Sequence, residues 1–597
     1  MREIGWGLAV LLSLSGLPGE AQAGEAEELA AARELFKRNI RAIQERDREA
    51  YLACYLDSDR LVRTSFEGHQ LGIAGLSSST APSGSDEWPE ELLARDLRLS
   101  WVEDGVVYGT YRYLVVEDGE ATSGISERLF VRTEQGFRIA VTTAFAAPPG
   151  TPPPPIALVG ATLYTGDGAE RIENAVVLIR NGKIESVGSG SAPDSVPEGI
   201  DTVDLRGRFL IPGLIDTHVH YSQTGSADGR PDALDLRDRY PYEQAMADNR
   251  LHPERFHRAF LYAGVTAVFD AGGYPWTRDL AAATEHGTEA PHVVAAGPLL
   301  STLVPPQLTL VDQSQFVLME DEDVIRRAVR SHAAQGSAAI KLWMVLREPD
   351  HLEEFIDQAR IAADEALGLE LPVVVHATEL EMARGAVLAG AKLLVHSVQD
   401  QPVDEDFIQA AAASGVFYCP TLIVGGGYLD LYARRITPEL ERQLEQVDAT
   451  VRQRVLATRE IERDARFTDA VLERIAGRQE RQKQIMFDNL KRLHEAGVPV
   501  VMGTDAGNPM TLHGPSAHVE MEAMQEAGLT PLAVLTAATR DAARALGRGS
   551  DLGLLLPGYI ADLVVLEEDP AEDIAHVRSI LKVVRGGQVR DRQRLKP

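Results

Sequence analysis

Apolar residues first recur at three- and four-residue spacing, at Leu29, Ala32, Phe36, Ile40 and Ile43 within residues 27–57. That period places them on one side of an α-helix, and Asp47 is suited to cap a second short helix reaching Tyr55. Over residues 97–102, 106–116, 124–133 and 137–143 the pattern changes to strands, separated by turn pairs such as Asp104-Gly105 and Asp118-Gly119. Helices followed by a curved antiparallel sheet predict a small α+β domain over residues 24–147. The stretch Pro148-Pro149-Gly150-Thr151-Pro152-Pro153-Pro154-Pro155 carries neither period. Consecutive prolines favour an extended, semi-rigid spacer, so residues 148–155 mark a domain boundary.

Short strands follow at residues 157–164, 175–180, 183–187 and 202–204, with Asn181-Gly182 as a turn. Similar strands return at 561–566 and 580–585, so residues 156–211 and 552–597 are expected to share one β-sandwich. Between them, over residues 212–551, apolar runs alternate with amphipathic helical stretches. The eight runs are 209–215, 265–270, 292–296, 338–344, 372–376, 392–396, 416–420 and 498–504. Eight strands in βα alternation predict a (β/α)8 TIM barrel inserted into the split sandwich, with its active site at the C-terminal strand ends. Residues 437–494 are helical, charge-rich and too long for an ordinary connection; they are expected to cover the barrel mouth as a lid or to form an oligomer contact.

Composition narrows the possibilities. With 44% hydrophobic and 25% charged residues among 597, the chain is globular and large enough for several folding units. Its formal charge of −30 repels phosphate backbones and anionic surfaces, which argues against nucleic acid as a partner. The start, Met1-Arg2-Glu3, an apolar run over 4–17 and Ala21-Gln22-Ala23, fits a signal peptide over residues 1–23. Export to a periplasm or the exterior is therefore expected, with no stable membrane insertion, since no later run approaches the roughly 20 apolar residues needed to span a bilayer. Cys54 and Cys419 fall in different predicted domains and are expected to be free thiols.

Candidate chemistry lies where a barrel would place it. His218 and His220 follow the first run, and residues i and i+2 of an extended chain point to one side, so both imidazoles can reach one metal. Such a pair alone is more often a surface or packing feature. Lys341, however, lies inside the fourth run, His376 ends the fifth, His396 ends the sixth, and Asp505 follows the eighth. A lysine within Ala338-Ala339-Ile340-Lys341-Leu342-Trp343 is costly to bury as an unpaired ammonium and requires a partner or a modification.

The segments Pro212-Gly213-Leu214-Ile215-Asp216-Thr217-His218-Val219-His220 and Gly503-Thr504-Asp505-Ala506-Gly507 resemble the opening and closing motifs of the amidohydrolase superfamily. Gly264-Val265-Thr266 and the segment from Pro557 to Leu566 extend the resemblance over roughly residues 156–590. His376-Ala377-Thr378, Pro420-Thr421-Leu422 and His513-Gly514 look closest to its imidazolonepropionase-like and prolidase-like branch. Ser397, where glycine is common, and Trp343-Met344 depart from it. The N-terminal pattern resembles the cone-shaped SnoaL-like fold, which implies a binding or assembly role.

The resemblance implies a binuclear metallohydrolase. His218, His220 and Asp505 would hold one divalent ion, His376 and His396 the other, and carbamylated Lys341 both, with a bridging hydroxide between them. Imidazole and carboxylate ligands favour zinc, with manganese, iron and cobalt as alternatives. Asp505 would be the catalytic group that takes the proton of the attacking water and passes it to the leaving nitrogen. The expected substrate is a small amide, dipeptide or N-acyl amino acid, and a homo-oligomer is compatible with the sequence. Two other readings stay open: a lactonase or phosphotriesterase on the same centre, and a non-catalytic ligand-binding protein. His513, His518, Tyr221 and Tyr418 are substrate-contact candidates by position alone.

Overall fold

A computed structural model describes residues 23–65, 68–73, 91–117, 120–146, 154–168, 171–190, 196–197, 199–285, 287–345 and 351–597. The expected leader up to Gln22, the Asp118-Gly119 turn and the spacer up to Pro153 lie outside these residues. The chain divides into two compact units, Met1–Pro154 and Pro155–Pro597.

In the first unit, the helix Ala23–Gln44 buries Ala32, Leu35, Phe36 and Ile40, the spacing of one helical face. Asp47 caps the helix Arg48–Leu52 by accepting a bond from the Ala50 N–H at 2.9 Å. Six strands form one sheet in the order Gly68–Leu71, Val62–Ser65, Gly136–Ala146, Glu120–Thr133, Val106–Glu117, Glu91–Glu103. The sheet is not wholly antiparallel as expected, because Val62–Ser65 runs parallel to Gly136–Ala146. The two four-residue strands escape sequence reading because they are too short to establish a period.

The second unit contains an eight-stranded sheet assembled from both of its ends. Strands within residues 156–212 join Leu563–Leu566, Ile580–Arg585 and Gln588–Asp591 through the antiparallel pair Phe209–Pro212 and Leu563–Leu566. These strands form one continuous hydrogen-bonded sheet. Alternation sets its two faces: Leu563 and Val565 pack among Leu158, Leu163 and Val177, whereas Val564 and Leu566 face the large core beneath the neighbouring helices.

The expected first barrel strand, 209–215, is corrected by the structure. Phe209–Pro212 belongs to the sheet, and a separate strand, Leu214–Val219, begins after Gly213. The break falls at Gly213 because the Gly213 N–H bonds Asp562 O while the Leu214 N–H bonds Gly264 O, and a Cβ at Gly213 would run into Thr266. From there Leu214–Val219, Val265–Asp270 and His292–Ala295 pair in parallel. Ile340–Trp343, Val373–His376, Leu393–Val395 and Phe417–Cys419 do likewise. The Ala338 N–H to Ala295 O bond joins the two groups. The eighth run, 498–504, forms no regular ladder and makes only isolated bridges, Tyr418 with Val500 and Val219 with Ala506. Backbone bonds from Val501 to Tyr418 and from Asp505 to His218 still close the ring.

The third segment breaks at Gly297-Pro298, and its continuation Leu299–Ser301 pairs with Ile340–Trp343 and with Phe316–Leu318; these two strands were not expected. Ring-interior positions Ala339, Val374, Leu393 and Val395 form a small core of their own, while Ile340, Leu342, Val373 and Leu394 face the helices.

Candidate metal centre

Lys341 keeps the inward parity of Ala339, and His376 that of Val374, so both side chains emerge inside the ring at its C-terminal end. His218 lies within its strand and His220 just past it. His396 and Asp505 reach the same place differently, because both adopt left-handed backbone, with φ of 75° and 61°. Positive φ in non-glycine residues is costly and concentrates at functional sites. Here it turns His396 inward, out of the helix-facing parity it would otherwise share with Leu394.

The six candidates meet. Donor atoms of His218, His396 and Asp505 all lie within 4.8 Å of one another. His220 Nε2 is 3.0 Å from Asp505 Oδ1, and the rings of His376 and His396 are 4.3 Å apart. The tightest cluster thus joins His396 to His218 and Asp505, across the division into two ligand groups implied by resemblance.

The donor set suits a cation. His220 Nδ1 lies 2.7 Å from Gly272 O, which only accepts, so Nδ1 carries a proton and Nε2 is the nitrogen left facing the Asp505 carboxylate. His218 Nδ1, Lys341 Nζ and Asp505 Oδ1 are buried without hydrogen-bond partners. Burial, reinforced by the charge on Lys341, holds the His376 imidazole down to about 3 and those of His218 and His396 well below their ordinary value. Neutral imidazoles are the metal-binding form. Burial also lowers the Lys341 ammonium to about 7, against the opposing attraction of Asp505.

Sequence reading missed a supporting layer of carboxylates and one hydroxyl. Asp216 accepts bonds from the Thr504 hydroxyl and the Thr504 and His218 N–H groups, at 2.7, 3.0 and 3.2 Å, and burial raises it to about 7. Asp270 accepts from the Tyr221 and Gly272 N–H groups, fixing the turn whose carbonyl orients His220. Glu520, raised to about 8 by burial, accepts from the Leu422 and Ile423 N–H groups. That holds the turn at Thr421, whose hydroxyl lies 2.8 Å from His396 Nδ1. Partners of this kind commonly contribute 10–100-fold in metal affinity. Thr421→Val is therefore expected to weaken metal binding by about tenfold or more, read by competition with a chromogenic chelator. The available signal was the position of Asp216 and Thr421 inside the quoted motifs.

The cluster opens into a cavity of about 960 Å3. Its walls include Leu299, Phe316 and Trp343 on the strand side, and Gln479, Lys483 and Phe487 from the helix Asp469–Glu495, within the stretch expected to cover the mouth. Arg230, held by Asp232, bonds Asn508, which also accepts from the Tyr428 hydroxyl at 2.6 Å. None of the positional candidates His513, His518, Tyr221 and Tyr418 lines the cavity. His513 Nε2 lies 3.0 Å from His220 O, and its ring packs on Phe256 at 4.0 Å. His518 Nε2 is 2.8 Å from Ala263 O, and the Tyr418 hydroxyl accepts from the Val398 N–H.

Comparison with known proteins gives a match to the model of the amidohydrolase family over residues 209–590. Imidazolonepropionase of Chromobacterium violaceum is 27% identical over 448 residues, covering 70% of this chain and 90% of that protein. Ochratoxinase of Aspergillus niger is 25% identical over 459 residues, covering 72% and 85%. In fold, the chain resembles the crystal structure of a Xaa-Pro dipeptidase with bound methionine, with a TM-score of 0.56 at 20% identity over 73% of this chain and 100% of that one.

Proposed function

The chain belongs to the amidohydrolase family, a family of hydrolases with relatives acting on C–N bonds, and on that premise we propose an exported, binuclear metal-dependent hydrolase that cleaves the amide bond of a small molecule. The observation that carries the reading is Lys341, an amine 1% exposed, without a hydrogen-bond partner, among four histidines and an aspartate. Carbamylation would turn this buried cation into a carboxylate ligand. His218, His220, His376, His396 and Asp505 would complete the donors for two divalent ions, with zinc favoured by the imidazole and carboxylate set. When bound, such ions supply a water acidic enough to attack near neutral pH and a Lewis acid for the carbonyl. Asp505 would serve as the general base that takes a proton from the attacking water and gives it to the departing nitrogen. Arg230, Asn508 and Tyr428 offer a polar wall to orient the substrate.

In this reading the ring is a (β/α)8 barrel, the shared sheet is its split companion domain, and the N-terminal unit is SnoaL-like. The leader directs the chain to a periplasm or the exterior. Among the described residues, no helix is long and apolar enough to cross a membrane.

Cavity size favours substrates larger than a minimal dipeptide. Trp343, two residues beyond Lys341, lines the space and packs against Phe316 with centroids 5.3 Å apart. Opening that wall with Trp343→Ala should raise KM roughly tenfold for substrates with a bulky apolar group and change it little for small ones.

The deciding test is elemental analysis of protein expressed with bicarbonate, followed by hydrolysis assays on dipeptides and N-acyl amino acids beside lactones and phosphotriesters. About two metal equivalents with amide turnover are expected. Preference for a lactone or phosphotriester would reassign the substrate, and failure to hold metal after reconstitution would leave a ligand-binding protein. Carbamylation consumes the neutral amine and releases a proton. Activation of metal-free protein by added divalent metal, at a fixed concentration of dissolved carbon dioxide, should therefore rise as pH increases through about 7, the value to which burial brings Lys341.

A further inference from the structure

We propose that the interior of the N-terminal unit binds a small organic monocarboxylate at Arg128. This residue is 5% exposed, and its partners among the described residues are all neutral. One terminal nitrogen, Nη1, donates to Ser126 Oγ, Glu127 O and Thr143 O at 2.5, 3.0 and 3.3 Å. The other, Nη2, donates to the Tyr111 hydroxyl at 2.8 Å. Nε is buried and bonds nothing. A guanidinium satisfied by neutral oxygens and by the Tyr111 ring, whose centroid is 5.1 Å from its carbon, still carries a charge that no anion among the described residues neutralises, and a packed interior penalises such a charge unless an anion accompanies it.

The surroundings complete an anion site. Tyr51 and Tyr55, on and beside the helix Arg48–Leu52, join hydroxyls at 3.0 Å, and both interact electrostatically with Arg128, as does Tyr111. Phenol hydroxyls can reverse their protons and donate to an arriving oxyanion. A buried guanidinium nitrogen without a partner marks a missing ligand more readily than a finished core.

The chemistry selects the ligand. A planar carboxylate matches the fork of a guanidinium, whose Nε here lacks a hydrogen-bond partner. One negative charge neutralises one buried cation, whereas a phosphate dianion would leave a net buried charge. The inference is independent of the hydrolase reading, since Arg128 lies outside the matched residues 209–590.

The test uses the full-length chain, stripped of metal by chelation so that carboxylates have no metal to bind. Sodium butyrate and sodium benzoate are titrated by calorimetry and ligand-observed NMR, with benzamide as the neutral isostere. Saturable binding of an acid but not of benzamide is expected. It should weaken at least tenfold in Arg128→Lys, which keeps the charge and loses the fork, and several-fold in Tyr111→Phe, while Asp505→Asn leaves it unchanged. Circular dichroism identifies variants that have lost their fold, and Tyr111→Phe, the smaller change, then carries the comparison. Absence of saturable binding by both acids overturns the proposal. So does binding equal to wild type in both N-terminal variants, or binding that survives Arg128→Lys and vanishes in Asp505→Asn.

Discussion

Asp505→Asn is expected to lower kcat by about 10³-fold while changing KM far less. Asparagine keeps the shape and, like aspartate, tolerates the left-handed backbone at this position, φ 61°. The substitution therefore removes charge and basicity without disturbing the turn. In the native site the carboxylate lies 3.0 Å from His220 Nε2 and 3.4 Å from His218 Nε2, close to the donors that would surround the reacting water. Steady-state kinetics on an amide substrate, with metal content measured on the same sample, separates its two roles. Lost turnover with retained metal assigns the loss to proton transfer, and lost metal assigns it to ligation. Turnover close to wild type would remove Asp505 from the chemistry.

Lys341→Met should have opposite effects on stability and function. Methionine fills nearly the same volume, and replacing a buried charged group with an apolar one is often neutral or stabilising. If Lys341 were only a core residue, the variant would be at least as stable and just as active. As a bridging ligand, its loss should reduce bound metal from about two equivalents to one or fewer and cut amide hydrolysis by at least about 10²-fold. A thermal melt of metal-stripped wild type beside metal-stripped variant completes the experiment, since without metal the variant should melt no lower. Retained metal and activity in Lys341→Met would end the bridging assignment.

The convergence of the candidate ligands was legible because a parallel sheet announces its strands as apolar runs, and polar residues at the ends of such runs share one end of the ring. Lys341 and His376 follow directly from strand parity. His396 does not: its inward aim depends on a φ of 75° that no hydrophobic pattern encodes, and on a hydroxyl from Thr421, 25 positions away. The run 209–215 was misassigned for a related reason. Apolar continuity crosses Pro212-Gly213 without a break, although the chain leaves one sheet and enters the ring there. Glu520 was invisible because its partners are backbone N–H groups nearly a hundred residues away, and long-range pairing to backbone leaves no trace in residue type. Asp104-Gly105 shows the opposite case, since a turn needing positive φ, here 76° at Gly105, states itself locally.

The sheet shared by the two ends of the second unit governs when the molecule can be finished. Phe209–Pro212 pairs with Leu563–Leu566, and the Tyr164 hydroxyl reaches Asp569 across 405 positions. While a ribosome is extending the ring, the edge of Phe209–Pro212 and the apolar side chains destined to meet Val564 and Leu566 remain uncovered. Contacts of such separation form late and slowly. Assembly of the ring that carries the candidate metal site is thereby coupled to arrival of the last strands, and the nascent chain must be shielded from aggregation until Ile580–Arg585 and Gln588–Asp591 have docked.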